Sequence, residues 1–133
     1  MASPVVSYGI ADTSVFIAHE SGRRLDVDAL PDEIAVSVIT VGELRAGVLA
    51  AGDVTARQMR LNTLITVLAL EPVPVDESVA EAWAGLRVAL RDAGLRMPMN
   101  DSWIAATALS LGVPVFTQDG DYDGVPGLDV VHV

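Results

Sequence analysis

Short apolar stretches alternate along this chain with segments of helical length, and that order constrains the fold more than any other feature. Residues 5–11 read as a buried strand ending at Asp12, and residues 34–38 as a second. Residues 40–51 read as a helix closing at Gly52, and 54–67 as another, with Leu61, Leu64, Ile65 and Leu68 at helical spacing. A third strand is expected over 67–75. Asp76 then caps a long helix that runs to about Ala93 and stops at Gly94. Residues 100–111 form a further expected helix, stopped by Gly112; 113–117 make a fourth strand and 128–133 a short fifth. Strands separated by helices in this way predict an α/β fold, a parallel sheet covered by helices on both faces. In such sheets ligands bind beyond the carboxyl ends of the strands.

At 133 residues the chain is expected to form a single domain over residues 1–133, with no repeat, linker or low-complexity segment. It is 51% apolar, with a mean hydropathy of +0.44. Yet no stretch reaches the ~18 uninterrupted apolar residues of a membrane span. The richest candidate, residues 61–75, is broken by Asn62, Glu71, Pro72 and Pro74. The N-terminus lacks the basic region of a signal peptide, so a cytoplasmic protein is expected, its apolar surplus covering a partner interface as well as a core.

Several chemistries are excluded by what is missing. Without cysteine there is no disulfide, thiolate nucleophile or cysteine-bound zinc, and His19 and His132 are too few for a histidine zinc site. All eight basic residues are arginine, so a lysine-dependent phosphate loop, Schiff base or phosphoaspartate site is ruled out. The net charge of −10 opposes simple electrostatic capture of nucleic acid and implies a basic partner or a substrate held through local arginines.

Four acids fall where this topology builds its site. Asp12 and Asp119 stand at strand ends, Glu43 in the first turn of the helix after the second strand, and Asp101 at the start of the helix leading to the fourth. Each has a local explanation: Thr40-Val41-Gly42-Glu43 matches a capping box, and Asp12, Asn100 or Asp101, and Asp76 could be N-caps. Asp121, Asp123 and Asp129 could be turn residues among Gly120, Gly124 and Gly127. Taken together, the four carboxylates call for a counter-charge, and a hard cation, Mg²⁺ or Mn²⁺, suits oxygen ligands with no histidine or thiol. Ser14 and Thr117 are placed to hydrogen-bond these carboxylates or a water, or else to satisfy turns.

The segments Asp12-Thr13-Ser14, Gly42-Glu43-Leu44, Asp101-Ser102-Trp103-Ile104-Ala105-Ala106 and Thr117-Gln118-Asp119-Gly120-Asp121-Tyr122 resemble the ordered acidic motifs of PIN domains. In particular they resemble the VapC-type toxins of bacterial type II toxin–antitoxin pairs. The resemblance covers essentially the whole chain. It implies a three-layer α/β/α domain with sheet order 3-2-1-4-5 and a Mg²⁺- or Mn²⁺-dependent endoribonuclease that inhibits translation by cutting structured RNA such as tRNA or rRNA. Asp12, Glu43, Asp101 and Asp119 become the metal-binding, catalytic acids, with Asp121 a substitute or helper for Asp119. Arg45 is the cation nearest these acids in sequence and a candidate phosphate contact, or simply a solvated helix arginine. Tyr122 stands where the family more often has Phe, and Met1 to Ser7 form an N-terminus longer than many members carry.

The resemblance also implies neutralisation by a VapB-type antitoxin and homodimerisation within a larger complex. A groove for the antitoxin would use Leu44, Val48, Leu49, Leu61 and Leu64, unless these are core. Two rivals stand beside this reading: a receiver- or dehalogenase-like phosphoaspartate domain, and a non-catalytic binding module of the same fold. The absent lysine speaks against the first and the full set of acids against the second.

Overall fold

Strand β1 (Tyr8–Ala11) lies at the middle of a parallel sheet, between β2 (Glu33–Ala35) and β3 (Val115–Thr117), with β4 (Val130–His132) beyond β3. Ile10 pairs with Ala35 on one side and Val115 on the other. A computed structural model describes residues 7–133; Val5 and Val6, expected in the first strand, and the N-terminal extension before Ser7 lie outside the described residues. Ile10, Ala11, Val115 and Phe116 are fully buried, as a parallel sheet covered on both faces requires.

Among the described residues five α-helices cover that sheet: α1 (Thr13–Ser21), α2 (Val38–Leu49), α3 (Val54–Leu68), α4 (Glu77–Asp92) and α5 (Met99–Leu111). Helices α1 to α3 enclose one core of Val36, Leu44, Leu64 and Val67, with Phe16, Ile17, Val48 and Leu61 packed around it. Helices α4 and α5 enclose the other, where Val79, Leu86, Leu90 and Ile104 meet Ile10 and Val115. The result is the expected α/β/α sandwich. Among the described residues no helix is long and apolar enough to cross a membrane.

Three expectations are corrected. The third strand does not form: Val67 and Leu68 finish α3, Glu71 takes a positive φ of 54°, and only Val73 joins the sheet, as a bridge to Ser37 beside β2. Pro72 and Pro74 have no N–H, so Val73 alone can donate, and its N–H reaches the Val36 carbonyl at 2.8 Å. The order 3-2-1-4-5 therefore survives as 2-1-4-5 with a vestige of strand three at its edge. Second, Thr40 is not a cap: α2 starts at Val38, capped by the Ser37 hydroxyl, and Glu43 sits in its second turn. Third, α5 starts at Met99 after Pro98, which leaves Asn100 and Asp101 inside the first turn instead of at the cap. Of the five groove candidates Leu44 and Leu64 are core and Val48 and Leu61 half-buried against it, as the alternative reading has them; Leu49 alone of the five is exposed, at 77%. Asp76 caps α4 as expected, accepting from the Val79 amide at 2.9 Å. Helix α1, which no sequence expectation covered, runs from Asp12 to a left-handed Gly22.

Candidate metal centre

β1 delivers Asp12 to the carboxyl edge of the sheet, only 2% exposed. It occupies the N-cap position of α1 without capping it. Instead the Ser14 hydroxyl donates to Oδ1 at 2.6 Å and the Thr117 hydroxyl, from the end of β3, to Oδ2 at 2.8 Å. The two hydroxyls are themselves pinned, each accepting a backbone amide: Gln118 N–H to Ser14 and Asp119 N–H to Thr117, both at 2.9 Å. Four residues from two adjacent strand ends thus lock one carboxylate. Burial and the neighbouring Asp119 charge raise the Asp12 pKa, against the lowering effect of the two hydroxyls.

Glu43 approaches from α2. Thr13 donates to Glu43 Oε1 at 2.7 Å, and Thr13 lies 3.0 Å from the hydroxyl of buried Thr40. Thr13 has one hydrogen and gives it to Glu43, so Thr40 donates to Thr13. Neither threonine was singled out for the site from sequence. The adjacency of Thr13 to Asp12 was the available signal, and Thr40 was absorbed by the capping-box pattern.

Asp101, half-buried in the first turn of α5, accepts from the Tyr122 hydroxyl at 3.3 Å. Its carboxyl is pushed up to about 7, first by burial, then by contact with Asp121 and the Asp12 charge, with the Tyr122 hydroxyl opposing. Tyr122 is fully buried in the single 3-10 turn after β3, and burial with the charges of Asp12, Asp101 and Glu43 raises its phenol. These groups influence one another in pairs, Asp12 with Asp119, Asp101 with Asp12 and Asp121, and Tyr122 with Asp12, Asp101 and Glu43, so the five acids share one neighbourhood at the carboxyl edge, with Asp119 and Asp121 exposed. An open cleft of ≈ 500 Å³ is lined by Val38, Ile39, Gly42, Glu43, Ala46 and Asn100, Glu43 being its one acid. Arg45 is not brought in. Two positions on from Glu43, it projects from the opposite side of α2, exposed.

The donor set fits a hard divalent cation, with one qualification. Every candidate ligand is a carboxylate oxygen, and none of the five acids has an ionic partner among the described residues, where the ion pairs are Arg91–Asp92 and His132–Asp123. Among those residues, too, no three acids form a ready-made ligand group. That is compatible with Mg²⁺, which keeps several waters and takes only one or two protein carboxylates.

A parallel sheet with acids gathered at its carboxyl edge is the arrangement of a PIN domain, and the PIN-domain pattern matches residues 10–128. The chain belongs to that family. It is similar to Ribonuclease VapC5 of Mycobacterium tuberculosis, 48% identical over 128 residues that cover 94% of this chain and 95% of that protein. It is equally similar to Ribonuclease VapC4 of the same organism, 48% identical over 129 residues, 96% of this chain and 98% of the other. Among solved structures it matches VapBC-5, a member of the VapBC family of toxin–antitoxin systems from Mycobacterium tuberculosis, with a TM-score of 0.87 and 44% identity over 98% of this chain and all of that one.

Proposed function

We propose that this chain is a VapC-type toxin: a cytoplasmic single PIN domain over residues 1–133 that hydrolyses RNA phosphodiester bonds with Mg²⁺ or Mn²⁺ and is neutralised by a VapB-type antitoxin. The observation that carries the reading is the buried Asp12, hydrogen-bonded on both oxygens, with the Asp119 charge near it and no ionic partner among the described residues. The ribonuclease names of relatives at 48% identity and the toxin–antitoxin assembly of the VapBC-5 match support it.

Asp12, Glu43, Asp101 and Asp119 are the candidate ligands, of which an ion that keeps its waters would take one or two directly and the others through water, with Asp121 sharing or replacing Asp119. When bound, a divalent ion supplies the Lewis acidity and counter-charge that attack of water on a phosphodiester requires. The chain's own contribution is order. Ser14 and Thr117 fix Asp12, and the Thr40–Thr13 relay fixes Glu43. Tyr122 donates to Oδ1 of Asp101, and that carboxylate, once ionised, would orient a water or accept its proton. Attack by water needs no 2′-hydroxyl; with the 3′-oxygen as leaving group, taking up a proton, the products are a 5′-phosphate and a 3′-hydroxyl. Homodimers within the toxin–antitoxin complex are part of the same reading.

The test is incubation of purified protein with total tRNA and ribosomal RNA in Mg²⁺, Mn²⁺ or chelator, beside Asp12→Asn prepared identically. Discrete metal-dependent cuts, absent from the mutant, are expected. Identical patterns from the two proteins under every condition would sink the nuclease reading for these RNAs.

A further inference from the structure

If RNA is the substrate, a chain of net charge −10 needs a local path for a polyanion, and the acids offer none. Three of the arginines are unsuited to it. Arg60 donates to the Gly47 carbonyl at 2.7 Å, Arg24 lines a cleft with Asp26 and Asp28, and Arg45 faces away from the acids. Three others converge. Arg87, Arg91 and Arg96 line one cavity of ≈ 310 Å³ at the turn between α4 and α5, with Leu90, Leu95 and Met97 as its apolar wall and no carboxylate in the lining.

The cavity is built on a rigid support. Trp83 of α4 and Trp103 of α5 stack with ring centroids 4.3 Å apart and planes 4° off parallel. Trp83 Nε1 donates to the buried Ser102 hydroxyl at 3.0 Å, which in turn donates to the Met99 carbonyl. The Arg87 guanidinium lies 5.2 Å from the Trp83 ring centre, which holds its planar fork in place. Arg91 touches only its neighbour Asp92, at 3.3 Å and with both side chains largely exposed, a pairing weak enough to yield to a phosphate.

The cavity lies on the segment that leads into Asp101. Arg96 precedes Asp101 by five residues, which caps the distance between their Cα atoms at about 18 Å. Ser102, the anchor of Trp83, is the residue next to Asp101. Arginine forks match phosphate oxygens two at a time, and the Leu90–Leu95–Met97 wall suits a ribose or base.

We infer that the Arg87–Arg91–Arg96 cavity binds the phosphodiester backbone of RNA and leads the strand to the acidic cluster. The inference rests on the ribonuclease reading for its purpose, but its test does not require cleavage. Binding of a labelled oligouridylate is measured in chelator across a range of salt for wild type, R91Q/R96Q and R87Q/R91Q/R96Q. R23Q/R57Q serves as a control with the same charge change as the double variant. R91Q/R96Q leaves the Arg87–Trp83 contact intact, so its melting temperature should match wild type.

Loss of two phosphate contacts should weaken binding at low salt on the order of tenfold or more and flatten the slope of log K against log salt by about 1.4. The triple variant should flatten it further, and the control should leave the slope unchanged. The cavity assignment is overturned if wild type does not bind, if R91Q/R96Q behaves like the control, or if polyaspartate displaces the RNA as well as unlabelled RNA does. A protein that cuts RNA with pocket variants binding normally loses the cavity and keeps the nuclease. One that binds through the arginines and cuts nothing loses the nuclease alone.

Discussion

Asp101 differs from an ordinary carboxylate because burial and two acidic neighbours hold its proton up to a pKa of about 7. The unfolded chain would release that proton near 3.8. Between those values the folded state binds the proton and the unfolded state does not, so stability falls as pH rises through the window and levels off above it. Burial raises Asp12 in the same direction. The metal-free protein should therefore melt at a higher temperature near pH 5 than near pH 8, modestly, since Asp101 is only half-buried. Tyr122→Phe removes the one hydroxyl that favours the charged form of Asp101, so the decline should extend to higher pH and the rise in Tm on adding Mg²⁺ at neutral pH should shrink. Melting curves across pH, with and without Mg²⁺, check both. A metal-free Tm that climbs from pH 5 to 8, or a Tyr122→Phe profile superimposable on wild type, would show that these contacts do not set the charge of Asp101.

At the scale of elements, β1 positions Asp12 and has no slack. A Cβ added at Gly9 would collide with Phe116 Cε2 and come within 2.7 Å of its Cδ2, and Phe116 is fully buried in β3. Gly9→Ala should cost about 1–3 kcal/mol by overpacking, read as a lower urea midpoint at unchanged m, whereas Gly85→Ala, with nothing near its Cβ, should cost nothing. Equal midpoints for the two would refute this close packing. The same scale shows what the sequence could convey. The apolar runs of β1 and β3, the Asp76 cap and the helix stops at Gly94 and Gly112 are local signals, and each has its structural counterpart. The run over 67–75 misleads because a short apolar stretch does not distinguish strand from the last turn of a helix, and its alternate prolines leave one donor for a sheet. Thr40-x-x-Glu43 misleads for a different reason. The partner of both residues is Thr13, 27 and 30 positions away, and no local pattern encodes that meeting. Four acids in order are legible as one candidate site from topology; the hydroxyls that orient Asp12 and Glu43 are legible only in part, through Ser14 and Thr117.

For the whole molecule, charge sets the balance. Eighteen acidic side chains against eight arginines give self-repulsion that is strongest where Asp12, Asp101, Asp119 and Asp121 gather. Monovalent salt relieves the general part by screening and should raise Tm gradually. A divalent ion bound only by the folded state adds a separate, saturable term of about 2.7 kcal/mol at a hundredfold excess over its Kd. Mg²⁺ should therefore raise Tm by several degrees beyond NaCl of equal ionic strength. The exposed rim acids test whether that excess belongs to the cluster, because removing them spares the buried Asp12 network. The variant D119N/D121N should melt at or above wild type without metal, since two repelling charges are gone, yet lose most of the Mg²⁺-specific increment. The exposed pair D26N/D28N removes the same net charge elsewhere and should keep the increment. If both double variants respond to Mg²⁺ as wild type does, the ion acts through bulk screening and the acidic edge does not hold it. If only D119N/D121N loses the response, the carboxyl edge of the sheet holds a divalent ion before any RNA is present.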